Sequence, residues 1–361
     1  MSLKVLFDHQ TFSLQKFGGI SRYFCELMKN LPQDIIYENS GLYSNNIYLQ
    51  ENFKGLYKSF FSGTEFRGKK TAINFPNKID SVLKCSKGNY DVFHPTYYDP
   101  YFLKVNKKPF VLTVHDMAHE KFPAFLKNDP AREFKNQLIY KADHIIAISE
   151  FTKRELLYFF DKLNPDNISV IYHGNSLSSD RINVVPSLER YLLFTGGRAE
   201  YKNFFALINA ISSILIKYNI RLICTGSPFT IAELEHFKEK KIADKVIHQY
   251  ASDQELFSLY ANAIAFIFPS FYEGFGIPIL EAFAASCPVV LSSASCLPEI
   301  AGDAALYFDP QNTDEMANAI ERTVTDSNLR AALIEKGNER LKLFNWSESA
   351  MLTAGVYKGL V

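Results

Sequence analysis

Short apolar runs alternate along the chain with segments of helical period. The runs Leu3–Phe7, Val92–His94, Phe110–Thr113, His144–Ile148, Ser169–Ile171, Tyr191–Phe194, Arg221–Thr225, Val246–Gln249, Ala263–Phe268 and Val289–Leu291 are rich in Val, Ile, Leu and Phe. Most do not alternate apolar with polar positions. That pattern predicts strands buried on both faces, as in a parallel sheet. Between them, Ser21–Asn30, Asp129–Lys141, Lys153–Phe160, Phe204–Tyr218, Glu233–Lys240, Asp253–Ala261, Ile279–Ala285 and Thr313–Thr325 carry helical spacing. Strand and helix in alternation predict an α/β, doubly wound fold. The first series ends near His173. A polar stretch, Gly174–Glu189, has no periodicity and contains Pro186, and reads as a linker. The expected architecture is therefore two Rossmann-like domains, 1–180 and 181–346, with parallel sheets facing a central cleft. Ligands of open α/β sheets bind at the carboxyl ends of the strands.

Composition narrows the function classes. The chain has 361 residues, with 39 Lys+Arg against 39 Asp+Glu. A zero net charge excludes a globally basic nucleic-acid binder and an acidic tail. The 31 Phe and 20 Tyr bring too much apolar surface for a disordered chain. Cys25, Cys85, Cys224, Cys287 and Cys296 are scattered and form no CxxC pair, which fits a reducing compartment. The N-terminal MSLKVLFDH reads as a strand and not as a signal peptide. No run reaches the roughly 18 apolar residues of a membrane span. A cytoplasmic protein is expected, at the inner face of the cell membrane if it attaches peripherally.

The neutral total hides a split. Residues 1–180 hold 23 Lys/Arg against 19 Asp/Glu, and residues 181–361 hold 16 against 20. Much of the first excess sits in residues 53–90. There Lys54, Lys58, Arg67, Lys69, Lys70, Lys78, Lys84 and Lys87 face only Glu65 and Asp80, and Phe53, Tyr57, Phe60, Phe61, Phe66 and Phe75 are interleaved. A solvated helix face over core aromatics is one reading. Contact with an anionic membrane is the other.

Three stretches carry candidate chemistry. Phe17-Gly18-Gly19-Ile20 lies between a strand and a helix, where paired glycines let the backbone approach a ligand and helix amides take an anion. A plain tight turn is the alternative. Gly196-Gly197-Arg198-Ala199-Glu200-Tyr201-Lys202-Asn203 follows the first strand of the second series. Arg198 offers a fork and Lys202 a point charge, a pair suited to a diphosphate. A solvated charged loop would look the same. The third runs from Pro269 to Ala282, with Glu273, Gly274-Phe275-Gly276, Pro278 in a helical first turn, and Glu281. Amides at that helix start can take phosphate oxygens. Carboxylates on either side accept hydrogen bonds from vicinal sugar hydroxyls. A capping glutamate plus an unrelated helical one is the bland alternative.

The 269–282 stretch resembles the two-glutamate signature of glycosyltransferase family 4, retaining enzymes of the GT-B fold. Arg198 and Lys202 resemble that family's phosphate-binding pair, Gly18-Gly19 its N-terminal glycine loop, and Val114-His115-Asp116 its central histidine segment. Phe344-Asn345-Trp346 resembles the segment before the last helix, so helix 347–361 is expected to pack back onto the first domain. The resemblance implies that Arg198 and Lys202 neutralise the donor diphosphate. It implies that Glu273 and the backbone of 274–276 hold sugar and phosphate, that Glu281 binds the ribose, and that His115 lies by the transferred sugar. Tyr250 to Glu255 would lie near the base. The implied activity is retaining, metal-independent transfer of a hexose from a GDP- or UDP-sugar to a glycan or lipid-linked acceptor in bacterial surface polysaccharide synthesis. GDP-mannose is favoured by the Gly-Gly-Ile-Ser-Arg-Tyr stretch. No cofactor is expected.

Other readings are weaker. His115 and His119, with Asp116 and Glu120, have i,i+4 spacing but sit in a loop-like segment, so metal binding is not expected there, and no Asp-x-Asp occurs. His94, Tyr97 and Tyr98 could meet an acceptor or be structural. A dehydrogenase would need a dinucleotide fingerprint, which is missing. A nucleotide-sugar epimerase or a non-catalytic carbohydrate-binding module would share the architecture.

Overall fold

The computed structural model describes residues 2–53, 55, 57–61, 63, 64, 66–123, 130–177 and 190–361. Lys54, Glu65, Asp129, Pro186 and the boundary expected between 180 and 181 lie outside the described residues. The chain forms two compact units, Met1–Gly174 with Asn345–Val361, and Asn175–Phe344.

In the first unit the strands are β1 (Leu3–Phe7), β2 (Ile35–Asn39), β3 (Val92–His94), β4 (Val111–Val114), β5 (His144–Ala147) and β6 (Ile168–Val170). They pair in parallel as β2-β1-β3 and β4-β5-β6. A bridge between Phe93 and Phe110 sets β4 beside β3, so the chain switches sides between β1 and β3. Val5, Phe7, Val92, Val111 and Ile146 are buried on one face, with Phe24 and Leu27 of the helix Gly19–Asn30. The last helix, Trp346–Lys358, belongs to this unit. Its Tyr357 hydroxyl lies 2.6 Å from His94 Nδ1, and its Ser349 Oγ donates to the Tyr172 carbonyl at 2.6 Å.

In the second unit, β7 (Tyr191–Phe194), β8 (Arg221–Cys224), β9 (Val246–His248), β10 (Ala265–Phe268), β11 (Val289–Ser292) and β12 (Leu306–Phe308) form one parallel sheet ordered β12-β11-β10-β7-β8-β9. Counted within the unit this is the 3-2-1-4-5-6 order of a dinucleotide-binding sheet, whose switch point lies between β7 and β10. The helix Phe204–Lys217 buries Phe204, Leu207, Ile208, Ile211, Ile214 and Leu215 against it. Each such side chain contributes roughly 2 kcal/mol relative to exposure. Capping boxes Thr230/Glu233 and Ser252/Glu255 start the helices Ile231–Glu239 and Asp253–Asn262.

The expected strands are present with ends moved by a residue or two. Two strands carried no long apolar run. β2 (IIYEN) and β12 (LYF) are sheet edges with half-buried positions, so their sequences need not be apolar throughout. The helix Lys69–Lys87 was also not apparent, since it contains Pro76 and three of its five buried positions, Lys69, Asn77 and Ser81, are polar.

Candidate functional site

The switch point of the second sheet brings two of the motif loops together. β7 and β10 are paired neighbours, so the loops that follow them leave the sheet side by side. The Phe271 N–H donates to the Tyr201 carbonyl at 2.8 Å, which ties the loops through their backbones. Lys202 Nζ lies 2.6 Å from Glu273 Oε1, which ties them through their side chains. The pair is mostly shielded from water, so its attraction is weakly screened.

Arg198 is braced differently. Its Nε donates to Glu233 Oε1 at 2.6 Å, and its Nη2 donates to the carbonyls of Ser227 and Pro228 at 2.7 and 2.8 Å. The guanidinium lies 4.9 Å from the Phe229 ring centre. Glu233 accepts from Thr230 with its second oxygen, so one carboxylate caps a helix and anchors Arg198. Burial would raise its pKa, but the bonds from Arg198 and Thr230 hold it below the usual carboxylate range. The fork expected to face a diphosphate is thus largely spent inside the protein. Nη1 is buried with no hydrogen-bond partner. An oxyanion is the natural acceptor for such a cationic donor. The loops after β7 and β8 also touch. At Gly226, φ is +103° and a Cβ would stand 2.4 Å from the Gly196 carbonyl oxygen, so only glycine fits there.

The carboxyl end of β10 continues into the helix Ile277–Ala284, with Gly276 at φ +94° as N-cap and Pro278 in the first turn. Phe275 is buried, 6.0 Å from the Phe344 ring, so its side chain anchors the loop while the backbone on either side stays at the helix start. Gly274 is half-buried. Glu281 is buried in the second turn and accepts from the Tyr260 hydroxyl at 3.2 Å. Thr195 Oγ1 lies 3.2 Å from the same hydroxyl. Tyr250, beyond β9, is 71% exposed, and its ring meets His248 edge-on at 4.7 Å.

Two residues on the loop after β11 hold Glu273 by its backbone. The Glu273 N–H donates to Ser295 Oγ at 3.1 Å, and Cys296 Sγ donates to the Glu273 carbonyl at 3.2 Å. Ser295 adopts φ +56°, a left-handed conformation costing about 1 kcal/mol for an L-residue. Neither residue stood out in the sequence, nor did Tyr260, Thr195 or Gly226. Glu233 could have been found, because Thr-x-x-Glu before an apolar run is a capping box.

The remaining predicted residues lie in the first unit. His115 follows β4, and its N–H donates to the Tyr98 hydroxyl at 3.2 Å. Its ring is edge-on to Tyr23 at 5.3 Å. Burial lowers its pKa to about 4, with Asp116 raising it and Lys135 lowering it. Lys135 is fully buried and bonds Glu120 Oε2 at 2.5 Å and the Asp116 carbonyl at 3.0 Å, which fixes the loop carrying His115. His94 and Tyr98 are core residues and not surface groups for an acceptor. His94 has one ring nitrogen 2.6 Å from Tyr357 and the other 2.9 Å from Thr113 Oγ1. Tyr97 is half-buried, its ring 4.7 Å from that of Tyr98. At Gly18-Gly19 the expected open helix start is partly filled, because the Ser21 N–H donates to Gln15 Oε1 at 3.2 Å. Among the described residues, no group of three or more His, Cys, Asp or Glu is placed to hold a metal ion.

The chain is similar to known proteins along most of its length. The family model described as Glycosyltransferase Family 4 matches residues 17–179, and Glycosyl transferases group 1 matches residues 178–340. O-antigen chain mannosyltransferase B of Escherichia coli is 30% identical over 288 residues, 74% of this chain and 74% of that protein. O-antigen chain mannosyltransferase RfbU of Salmonella typhimurium is 28% identical over 213 residues, 58% of this chain and 59% of its own. Among solved structures, Anabaena Alr3699/HepE in complex with UDP and glucose aligns over 100% of both chains with a TM-score of 0.75 at 16% identity. The chain belongs to glycosyltransferase family 4, a transferase with the two Rossmann-like domains of the GT-B fold.

Proposed function

We propose that this transferase moves mannose from GDP-mannose to a growing glycan of a bacterial surface polysaccharide, with retention at the anomeric carbon and without a metal. The observation that carries the reading is the Lys202–Glu273 pair at the sheet's switch point. A leaving diphosphate needs fixed cations and amides where its charge develops. Lys202, the buried and unpartnered Nη1 of Arg198 and the helix start at Gly276 are of that kind. Glu273 and Glu281 are acceptors for sugar and ribose hydroxyls. In the step, the bond from the anomeric carbon to the diphosphate oxygen breaks and the bond to the acceptor oxygen forms on the same face. The acceptor proton passes to the departing diphosphate. His115, neutral and fixed by its loop, is assigned to the transferred sugar. The mannosyl donor is supported by the names of the two O-antigen relatives. A UDP-hexose is the second reading, favoured by the HepE complex with UDP and glucose.

The test is release of nucleoside diphosphate from GDP-mannose and a panel of UDP-hexoses, with EDTA present, with and without a lipid-linked glycan acceptor. Acceptor-dependent release from GDP-mannose supports the reading. Release from a UDP-sugar alone moves it to the second donor. Release that ignores the acceptor, or none from any donor, overturns it.

A further inference from the structure

Glu273 depends on a helix too short to hold itself. The helix Leu297–Ala301 has 5 residues and Cys296 as its N-cap. Ser295 and Cys296, the two residues that bond the Glu273 main chain, therefore lead directly into it. So short a helix makes few bonds of its own, and its position is set by what ties its ends. Arg340, in the helix Ser327–Leu341, ties the far end. Its Nε donates to the Ile300 carbonyl at 2.9 Å and its Nη2 to the Glu299 carbonyl at 2.5 Å. A cation at these carbonyls also meets the negative end of the helix dipole. The same guanidinium lies 5.6 Å from the centre of the Phe344 ring, and Phe344 packs edge-on to Phe275 in the loop after Glu273. The helix bearing Arg340 is seated tightly in its turn. A Cβ at Gly337 would stand 2.7 Å from Phe283 Cδ1, in the helix Ile277–Ala284.

We propose that Arg340 is a positioning residue of the transfer step. By fixing helix 297–301 it sets the main chain of Glu273, and so the place where the Glu273 carboxylate meets the transferred sugar. Displacing a reacting group by about 1 Å can cost roughly a hundredfold in rate, even when the change is made far from the chemistry. A second arginine of the same helix supplies the comparison. Arg330 Nη1 donates to the Thr323 and Val324 carbonyls at 2.7 and 3.1 Å, at the end of the helix Thr313–Thr325. The described hydrogen bonds of Glu273 run to Lys202, Ser295 and Cys296 and not to that helix. The two arginines thus separate capping as such from capping on the path to Glu273. The inference rests on the assignment of Glu273 to the transferred sugar. Normal turnover in Glu273→Gln would overturn both, whereas normal turnover in Arg340→Met beside a slow Glu273→Gln overturns this one alone.

The experiment compares Arg340→Met with Arg330→Met in the full chain. Methionine keeps most of the length of the side chain and can still pack on Phe344, but it lacks both donors. Turnover is measured with whichever nucleotide sugar supports acceptor-dependent release. In Arg340→Met, kcat should fall roughly tenfold or more. Affinity for the released nucleoside diphosphate should stay within about threefold, because Arg198 and Lys202 are untouched. Arg330→Met should lose a similar share of stability in urea and keep kcat within about twofold. In the Glu273→Gln background, Arg340→Met should slow turnover by less than about threefold, since the carboxylate it positions is gone. Independently of any donor, amide hydrogen exchange at residues 269–276 should quicken in Arg340→Met and not in Arg330→Met. Normal kcat in Arg340→Met, an equal loss of kcat in Arg330→Met, or a loss that falls on diphosphate affinity instead of kcat overturns the proposal. So does the full additional loss on Glu273→Gln, or unchanged exchange at 269–276.

Discussion

Glu273 is gripped from three sides. Its carboxylate meets Lys202 at 2.6 Å, its N–H meets Ser295 Oγ at 3.1 Å, and its carbonyl meets Cys296 Sγ at 3.2 Å. Loops from three different strands thus fix one residue, backbone and side chain, at the switch point of a parallel sheet. Such fixing supplies orientation before substrate arrives.

Replacing the carboxylate isolates its role. Glu273→Gln keeps the shape of the side chain and weakens the hold on Lys202. Turnover should drop about a hundredfold or more, the scale seen when one preorganised transition-state group is removed. Circular dichroism should be unchanged. Near-normal turnover would remove Glu273 from the reaction.

Ser295 tests the support beneath it. Ser295→Ala leaves the Glu273 N–H without its acceptor and should lower kcat roughly tenfold, while stability changes by about 1 kcal/mol. Ser295→Gly relieves the left-handed backbone but also lacks Oγ, so its kcat should fall in the same way. If Ser295→Gly turned over normally, the hydroxyl would have no positioning role.

Tyr260 does the same for the second glutamate. Tyr260→Phe removes a donor to the buried Glu281 and the partner of Thr195. Donor KM should rise about tenfold, with a stability loss of about 1–2 kcal/mol. A loss of stability with unchanged donor KM would make Glu281 a structural residue only.

The buried histidines set an acid limit. Burial, followed by His115, brings His94 to about 3, and burial brings His115 to about 4, against an ordinary 6.5. Burial also holds His173 well below its ordinary value. Above 6.5 each is neutral in both states and contributes no pH dependence. Below it the unfolded chain takes up protons that the folded chain refuses, so stability falls with pH down to about 4. The slope is up to ~1.4 kcal/mol per pH unit for each histidine. Urea unfolding across that range should show the fall, and a shallower one in His115→Asn. A flat profile would contradict the burial.

The sequence and the structure diverge where pattern and burial part. The apolar runs marked the central strands because both faces of those strands are covered. β2 and β12 escaped because an edge strand can be short and half polar. Helix 69–87 escaped because Asn77 and Ser81 face inward while Phe75 and Ile79 face out, the reverse of what periodicity assumes. In the candidate site, Arg198, Lys202, Glu273 and Glu281 were singled out because they stand beside paired or spaced glycines just past predicted strands, in stretches that resemble a family signature. Their supports were not. Ser295, Cys296 and Tyr260 are separated from their partners in sequence and joined to them only by the fold.

The transferase reading requires that the loops after β7 and β10 bind a nucleoside diphosphate. Calorimetric titration of GDP and UDP into the wild-type protein and Lys202→Ala, without divalent cations, tests it most directly. The wild type should bind at least one diphosphate saturably, and Lys202→Ala should lose about tenfold or more in affinity, the worth of a charge-assisted contact. Equal affinity in the two proteins, or no binding of either diphosphate by the wild type, would contradict it.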